Sequence, residues 1–175
     1  MAKLHVLTLP DHRLRIKAKP VELVNDNIRQ MLDDMVDTMY GEDGIGLAAT
    51  QVDIHKRMVV VDLREPISAE EDVAGFSTLW KFINPEITWK SEETSIMQEG
   101  CLSVPEHRAD VTRAANIRLS YLNEWGEPRE LKASGLLATC IQHEIDHLNG
   151  KLFVDYLPPM RREMVLKKLA KLKKA

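Results

Sequence analysis

Residues 142–150 read QHEIDHLNG, with His143 and His147 four apart and Glu144 directly after the first. On a helix, imidazoles at i and i+4 share a face and can grip one metal ion. A carboxylate beside them can then act on water at that ion. A helical wheel places His143, His147 and Glu144 in one broad arc with Leu136, Leu137, Cys140, Ile141, Ile145 and Leu148. Ala138, Thr139, Gln142, Asp146 and Asn149 take the opposite side. The polar trio is therefore expected to face the interior. Burying three unpartnered polar groups costs about 1–3 kcal/mol each, and a metal removes that cost. The plainer alternative is a pair of core histidines satisfied by backbone carbonyls, with Glu144 as an ion-pair partner. It explains neither the spacing nor the intervening carboxylate.

A tetrahedral catalytic site needs a third protein ligand and one open position. The longer peptidase pattern H-E-x-x-H-x-x-G-x-x-H is met as far as Gly150 but has Phe153 at its last position. Glu163 lies beyond Pro158 and Pro159. Cys140 shares the helix face, yet about 10 Å of helix separates it from His147, which makes it a cavity wall. Cys101, in EGCLSVP between Gly100 and Pro105, sits where a kinked strand or turn can present a sulfur. His5, His12, His55 and His107 each stand alone in surface-like contexts. Two histidines, Cys101 and one open position form the best constellation, and ligand softness favours Zn2+ there.

These residues need elements to hold them. Ile28, Met31, Leu32, Met35, Val36 and Met39 recur with helical spacing, so a helix is expected from Asn25 to Tyr40, closed by Gly41 as a C′ glycine. RMVVVDL (57–63) reads as a buried strand, and KFINPEITW (81–89) as an edge or bulged strand because of Pro85. NIRLSYL and RELKA, separated by NEWGEP, read as a hairpin. The helix bearing the histidines starts near Ser134 or Gly135 and ends by Asn149–Gly150. Few helices and a middle dominated by hairpins make the expected class α+β: antiparallel strands around a central metal-binding helix.

The 175 residues are 44% hydrophobic, which suits one domain with a real core. No apolar run approaches a membrane span, and His5, Pro10 and Asp11 break the N-terminal stretch before it could form a signal core. The expected location is the cytoplasm, with no membrane partner; two cysteines without a disulfide framework agree. Residues 160–175, MRREMVLKKLAKLKKA, carry seven Lys or Arg against one Glu, although the whole chain has net charge −3. Val165, Leu169 and Leu172 form a narrow apolar stripe on that segment. A catalytic domain over 1–159 and a basic helical extension over 160–175 are expected. Such a tail is usually a solvated helix, but it can be a handle for an anionic partner.

GEDGIGLAATQ (41–51) contains Gly44, Gly46 and Ala49 in the dinucleotide-binding spacing G-x-G-x-x-A. That pattern must follow a strand, and here it follows a helix, so it is not a nucleotide site. A glycine turn followed by Gln51 better suits holding an extended peptide and a developing oxyanion.

GIGLAATQ, EGCLS and QHEIDH, in this order, resemble the three signature motifs of bacterial peptide deformylases, and LPDHRLR and GKLFVDYL extend the likeness over the whole chain. The likeness is to the Gram-negative type with a helical C-terminal extension. It implies removal of the formyl group from the N-terminal formyl-methionine of nascent polypeptides, releasing formate. It also implies Cys101, His143 and His147 as ligands of one divalent ion, Fe2+ in the cell with Zn2+ or Ni2+ as substitutes. Glu144 matches the general base, and Gln51 with the Leu102 N–H the oxyanion donors. Ile45, Gly46, Arg108, Leu136 and Cys140 match the substrate pocket, and Glu99 a polar neighbour. The family commonly has a bulkier apolar residue where this chain has Thr139. The implied partners are N-formylmethionyl peptides and, through the basic helix, the ribosome; oligomeric state is not readable. An H-E-x-x-H endopeptidase would lack a downstream ligand here, and a non-catalytic metal module would need a fourth one.

Overall fold

The structure is a computed structural model that describes residues 3–64 and 78–174, so Ala175, the end of the basic segment, lies outside it. The amphipathic segment forms α1 (Asp26–Gly41). Asn25 caps it, accepting a hydrogen bond from the Ile28 N–H, one of the first-turn donors a helix leaves free. The far end differs from expectation. Gly41 is the last helical residue, and the left-handed turn falls at Asp43 (φ 55°), after which the Gly44 N–H returns to the Met39 carbonyl. Asp tolerates that region, so Gly41 is not needed there.

Strands β1 (Gly46–Ala48), β2 (Met58–Asp62), β3 (Leu79–Lys90), β6 (Asn116–Leu122) and β7 (Pro128–Ser134) form one antiparallel sheet in that spatial order. Strands β4 (Thr94–Cys101) and β5 (Val104–Ala114) form a separate hairpin. The segment containing Pro85 is therefore the middle strand, not an edge. β2 begins opposite Ile83, and the β3–β6 register shifts between Ile83 and Glu86 with Asn84 at φ 51°. The proline ring occupies this irregularity, where no ladder donor is required.

All five β2 residues are buried because both sheet faces are covered. Met58 and Val60 pack with Leu32, Met35 and Met39 of α1. Val59 and Val61 pack with Ala138, Ile141 and Leu148 of α2 (Gly135–Leu148). A third cluster joins the β4–β5 hairpin, through Val104, Ala109 and Val111, to Leu7, Leu9, Leu14 and Phe153. Helix α2 lies between the sheet and this cluster. A second difference is that Ala138, Thr139 and Gln142, expected on the outer side, are buried, with Ala138 inside the sheet-side cluster. Gln142 is satisfied there by donating to the Ala114 and Ala138 carbonyls.

After α2 the chain passes close to Arg15. Gly150 stands at φ 77°, and a Cβ there would lie 2.4 Å from the Arg15 carbonyl oxygen, so only glycine fits. The basic segment forms α3 (Pro159–Lys174). Val165 and Leu169 are buried in the third cluster, whereas Leu172 is half exposed, so the expected three-residue stripe docks through two. Among the described residues no helix is long and apolar enough to cross a membrane. The class is α+β.

Candidate active site

The separate motifs meet at α2. His143 and His147 project from one face of the helix, and their Nε2 atoms are 3.2 Å apart. Cys101 arrives from the end of β4, where the β4–β5 register breaks at Gly100–Cys101, and its Sγ lies 3.3 Å from His147 Nε2. All three donor atoms lie within 4.8 Å of one another. Tetrahedral coordination at about 2.0–2.1 Å for nitrogen and 2.3 Å for sulfur puts donors roughly 3.3–3.6 Å apart. The Cys–His–His set therefore fits a metal ion and leaves one position for a non-protein ligand. His5, His12, His55 and His107 do not join a metal-competent group among the described residues, and neither does Cys140.

The surroundings favour a cation at this point. Burial opposes a charge on His143, but Cys101 and Glu99 outweigh it and raise the pKa well above the ordinary imidazole value. Burial, then the positive charges of His143 and Arg113, push His147 well below that value, toward the neutral form a ligand needs. Burial also pushes the Cys140 thiol up, so it stays protonated and acts as a wall.

Glu144 is 2% exposed, and its Oε1 lies 3.9 Å from His143 Nε2 and 3.8 Å from His147 Nε2. Burial pushes its pKa to about 7, against the downward pull of His143 and Arg113. A carboxyl poised there can take and return a proton near neutral pH.

Gln51 sits in the short 3-10 turn Ala49–Val52 after β1. Its carbonyl accepts from the Ala48 N–H at 2.9 Å, and its amide nitrogen donates to Ser103 Oγ at 3.0 Å and approaches Cys101 Sγ at 3.4 Å. The amide is thus locked with its donor end toward the metal site. Leu102 follows Cys101 in the β4–β5 turn and lines the same cavity. That cavity, of about 770 Å³, is also lined by Ile45, Gly46, Arg108, Leu136, Thr139 and Cys140. Every expected site residue is therefore at the ligand cluster or in the cavity wall.

Three contributors were not singled out by sequence reasoning. Ser103 holds Gln51, and His107 lines the cavity beside Arg108. Arg113 is buried against Glu99, with Nε to Oε2 at 2.6 Å and Nη2 to Oε1 at 2.9 Å. The signal for Arg113 is parity: Ala109, Val111 and Arg113 alternate onto the buried face of β5. Glu99 in turn accepts from His143 Nδ1 at 2.8 Å. Burial alone would raise Glu99 and lower Arg113; the bonds from His143 and then Arg113 bring Glu99 below its ordinary value, and those to Glu99 and Asp146 raise Arg113.

An α+β core closed around Cys–His–His with a buried carboxylate beside it defines a single-metal hydrolase. The family model for polypeptide deformylases matches residues 3–163. Peptide deformylase 2 of Xanthomonas campestris pv. campestris is 55% identical over 177 residues, covering 99% of this chain and 98% of that protein. The crystal structure of the Ehrlichia chaffeensis peptide deformylase in complex with actinonin superposes with a TM-score of 0.92 at 40% identity, covering all of both chains. That of the Acinetobacter baumannii peptide deformylase bound to Met-Ala-Ser gives 0.79 at 38% identity, covering 88% of this chain and 98% of that one. The chain belongs to the peptide deformylase family, the metal-dependent hydrolases that remove the formyl group from newly made polypeptides.

Proposed function

We propose that Cys101, His143 and His147 hold the metal, that Glu144 is the general base and acid, and that Gln51 and the Leu102 N–H stabilise the oxyanion. The observation that carries this reading is the buried Glu144 carboxyl, whose Oε1 lies within 3.9 Å of both imidazole Nε2 atoms. A divalent ion at the three donors would supply Lewis-acid polarisation and a more acidic water. Glu144 takes the proton of the attacking water and later returns it to the leaving amine nitrogen. Gln51, fixed by Ala48 and Ser103, donates to the oxygen on which negative charge grows. Ile45, Gly46, Arg108, Leu136 and Cys140 line the methionine pocket, a role supported by their place in the cavity and by the Met-first tripeptide of the Acinetobacter relative. Glu144→Gln, which cannot accept the proton, should keep its metal and lose about 10²–10⁴-fold in kcat on a formyl-methionyl peptide. Wild-type turnover by the metal-loaded variant would sink the mechanism.

We further propose Fe2+ as the native ion, on the family resemblance, since Cys–His–His donors suit Fe2+, Ni2+ and Zn2+ alike. Elemental analysis of protein purified without oxygen decides it. Residues 1–159 carry the chemistry in the cytoplasm, and the basic α3 contacts ribosomal RNA. Deleting α3 would uncover the cluster containing Val165 and Leu169. Reversing the exposed Lys167, Lys168 and Lys171 to Glu tests the contact more cleanly. Peptide turnover should stay near wild type while salt-sensitive co-sedimentation with ribosomes is lost. Unchanged, salt-insensitive co-sedimentation would refute the contact.

A further inference from the structure

The two imidazoles of the metal site are held unequally. His143 Nδ1 meets Glu99 Oε1 at 2.8 Å, whereas His147 Nδ1 is buried with no hydrogen-bond partner among the described residues. A ligating imidazole is oriented by what its other nitrogen meets, so the polar orientation of this pair rests on His143. Glu99 Oε1 is shared between His143 Nδ1 and Arg113 Nη2, at 2.8 and 2.9 Å. Any slide of the guanidinium therefore changes the acceptor that His143 sees.

Something must stop that slide. The third arm of Arg113, Nη1, reaches Asp146 Oδ2 at 2.9 Å, and the Tyr156 O–H donates to the same oxygen at 2.7 Å. The Tyr156 ring also lies under the guanidinium, 5.0 Å from its carbon. Asp146 and Tyr156 line a separate cavity of about 480 Å³ behind α2, not the active-site cavity. Arg113 itself is 6% exposed, so its donors have little water to turn to. A planar fork with both edges occupied has one orientation; with one edge occupied it can rotate about the Glu99 contact.

We propose that Arg113 is a positioning residue of the metal centre, locked by Asp146 and Tyr156, so that a chain of side chains from behind α2 sets how firmly His143 holds the ion. The proposal rests on the ligand reading given above. It makes metal retention depend on Tyr156, a residue half open to solvent on the far side of the helix.

The experiment measures metal release from the loaded protein into excess chelator, together with the visible spectrum of the Co2+-substituted enzyme. Glu99→Gln and Arg113→Lys should weaken metal affinity by roughly 10–100-fold, the scale for partners of ligating histidines. Asp146→Asn and Tyr156→Phe should act in the same direction by about 2–10-fold, a fraction of that scale. In both, the Co2+ bands should shift, and kcat at limiting metal should fall without a change in KM. Tyr156→Phe keeps its ring and its exposure, so it answers the question even where Arg113→Lys fails to fold. Wild-type release rates and spectra in both Asp146→Asn and Tyr156→Phe, beside rapid release from Glu99→Gln, would overturn the proposal. A wild-type release rate in Cys101→Ser would instead overturn the ligand assignment beneath it.

Discussion

Gly46→Ala tests whether Glu144 works by its exact place or only by its charge. Gly46 has ordinary backbone angles for any residue, so its reason to be glycine is proximity. A Cβ there would lie 2.8 Å from Glu144 Oε2, 3.1 Å from its Cδ and 2.9 Å from Cys140 Sγ. Ordinary contact begins near 3.4 Å, so the carboxyl must retreat by about 0.6 Å. Retreat is confined, because Glu144 is 2% and Cys140 7% exposed, with α2 packed on both sides. Overpacking of this kind costs about 1–3 kcal/mol. A reacting group misplaced by 1 Å loses about 10²-fold in rate, so a shift of this size should lower kcat by roughly 10–100-fold. Metal content should stay stoichiometric, since a Cβ at Gly46 meets Glu144 and Cys140 as its nearest atoms and not the ligands. The assay is kcat on a formyl-methionyl peptide with the metal measured on the same sample. Wild-type kcat in a metal-replete, folded variant would refute the reasoning, because the general base would then tolerate displacement.

Two further outcomes follow from the site and its rim. Cys101→Ser should weaken metal retention, since a hydroxyl is a poor ligand beside a thiolate, whereas Cys140→Ser should keep stoichiometric metal. Full occupancy in the first and metal-free protein in the second, by elemental analysis, would mean the wrong thiol was chosen. Tyr40 has its pKa raised to about 12, by burial first and then by its hydrogen bond to Asp62. The fold favours the neutral phenol, so this contribution is fully present below about 10 and lost as pH rises from 10 to 12. Tm should fall over that window more steeply in wild type than in Tyr40→Phe; parallel curves would count against it.

The histidine pair was legible because its geometry is local: four residues on a helix fix a shared face whatever surrounds it. Gln51 and Cys101 lie far away in sequence; Cys101 was reached by eliminating other ligands and Gln51 from its glycine turn, and the likeness of the separate motifs joined both to the pair. Burial around α2 was half legible. A helical wheel assumes one covered side, and it misplaced Ala138, which packs with the sheet, and Gln142, which reaches the end of β5, along with the buried Thr139. Pro85 was read as the mark of an edge or bulged strand, and of the two the irregularity is what the structure has. The β3 ladder spares it by a register shift beside the point where β2 begins, a boundary the proline itself does not announce. Arg113 carried a parity signal, but a charged residue on an apolar face is meaningful only once its partner Glu99 is known.

The dispersal of the site over three motifs has a physical reason. A buried carboxyl near two imidazoles and a thiol cannot be built on one element, because each polar side chain needs a partner arriving from another direction. Helix α2 supplies the imidazoles and the Glu144 carboxyl. The hairpin supplies Cys101 together with Glu99 and Arg113, and the turn after β1 supplies Gln51. Each element is tied to the others by its backbone. The Thr50 hydroxyl donates to the His147 carbonyl at 3.1 Å, and the Leu7 and Leu9 N–H groups bridge Gln51 to Ser103 through their two carbonyls at 2.7 and 2.9 Å. The N-terminal segment therefore ties the Gln51 turn to the thiol-bearing turn. The chemistry is concentrated in a few side chains, while the precision of their placement is spread over the whole fold.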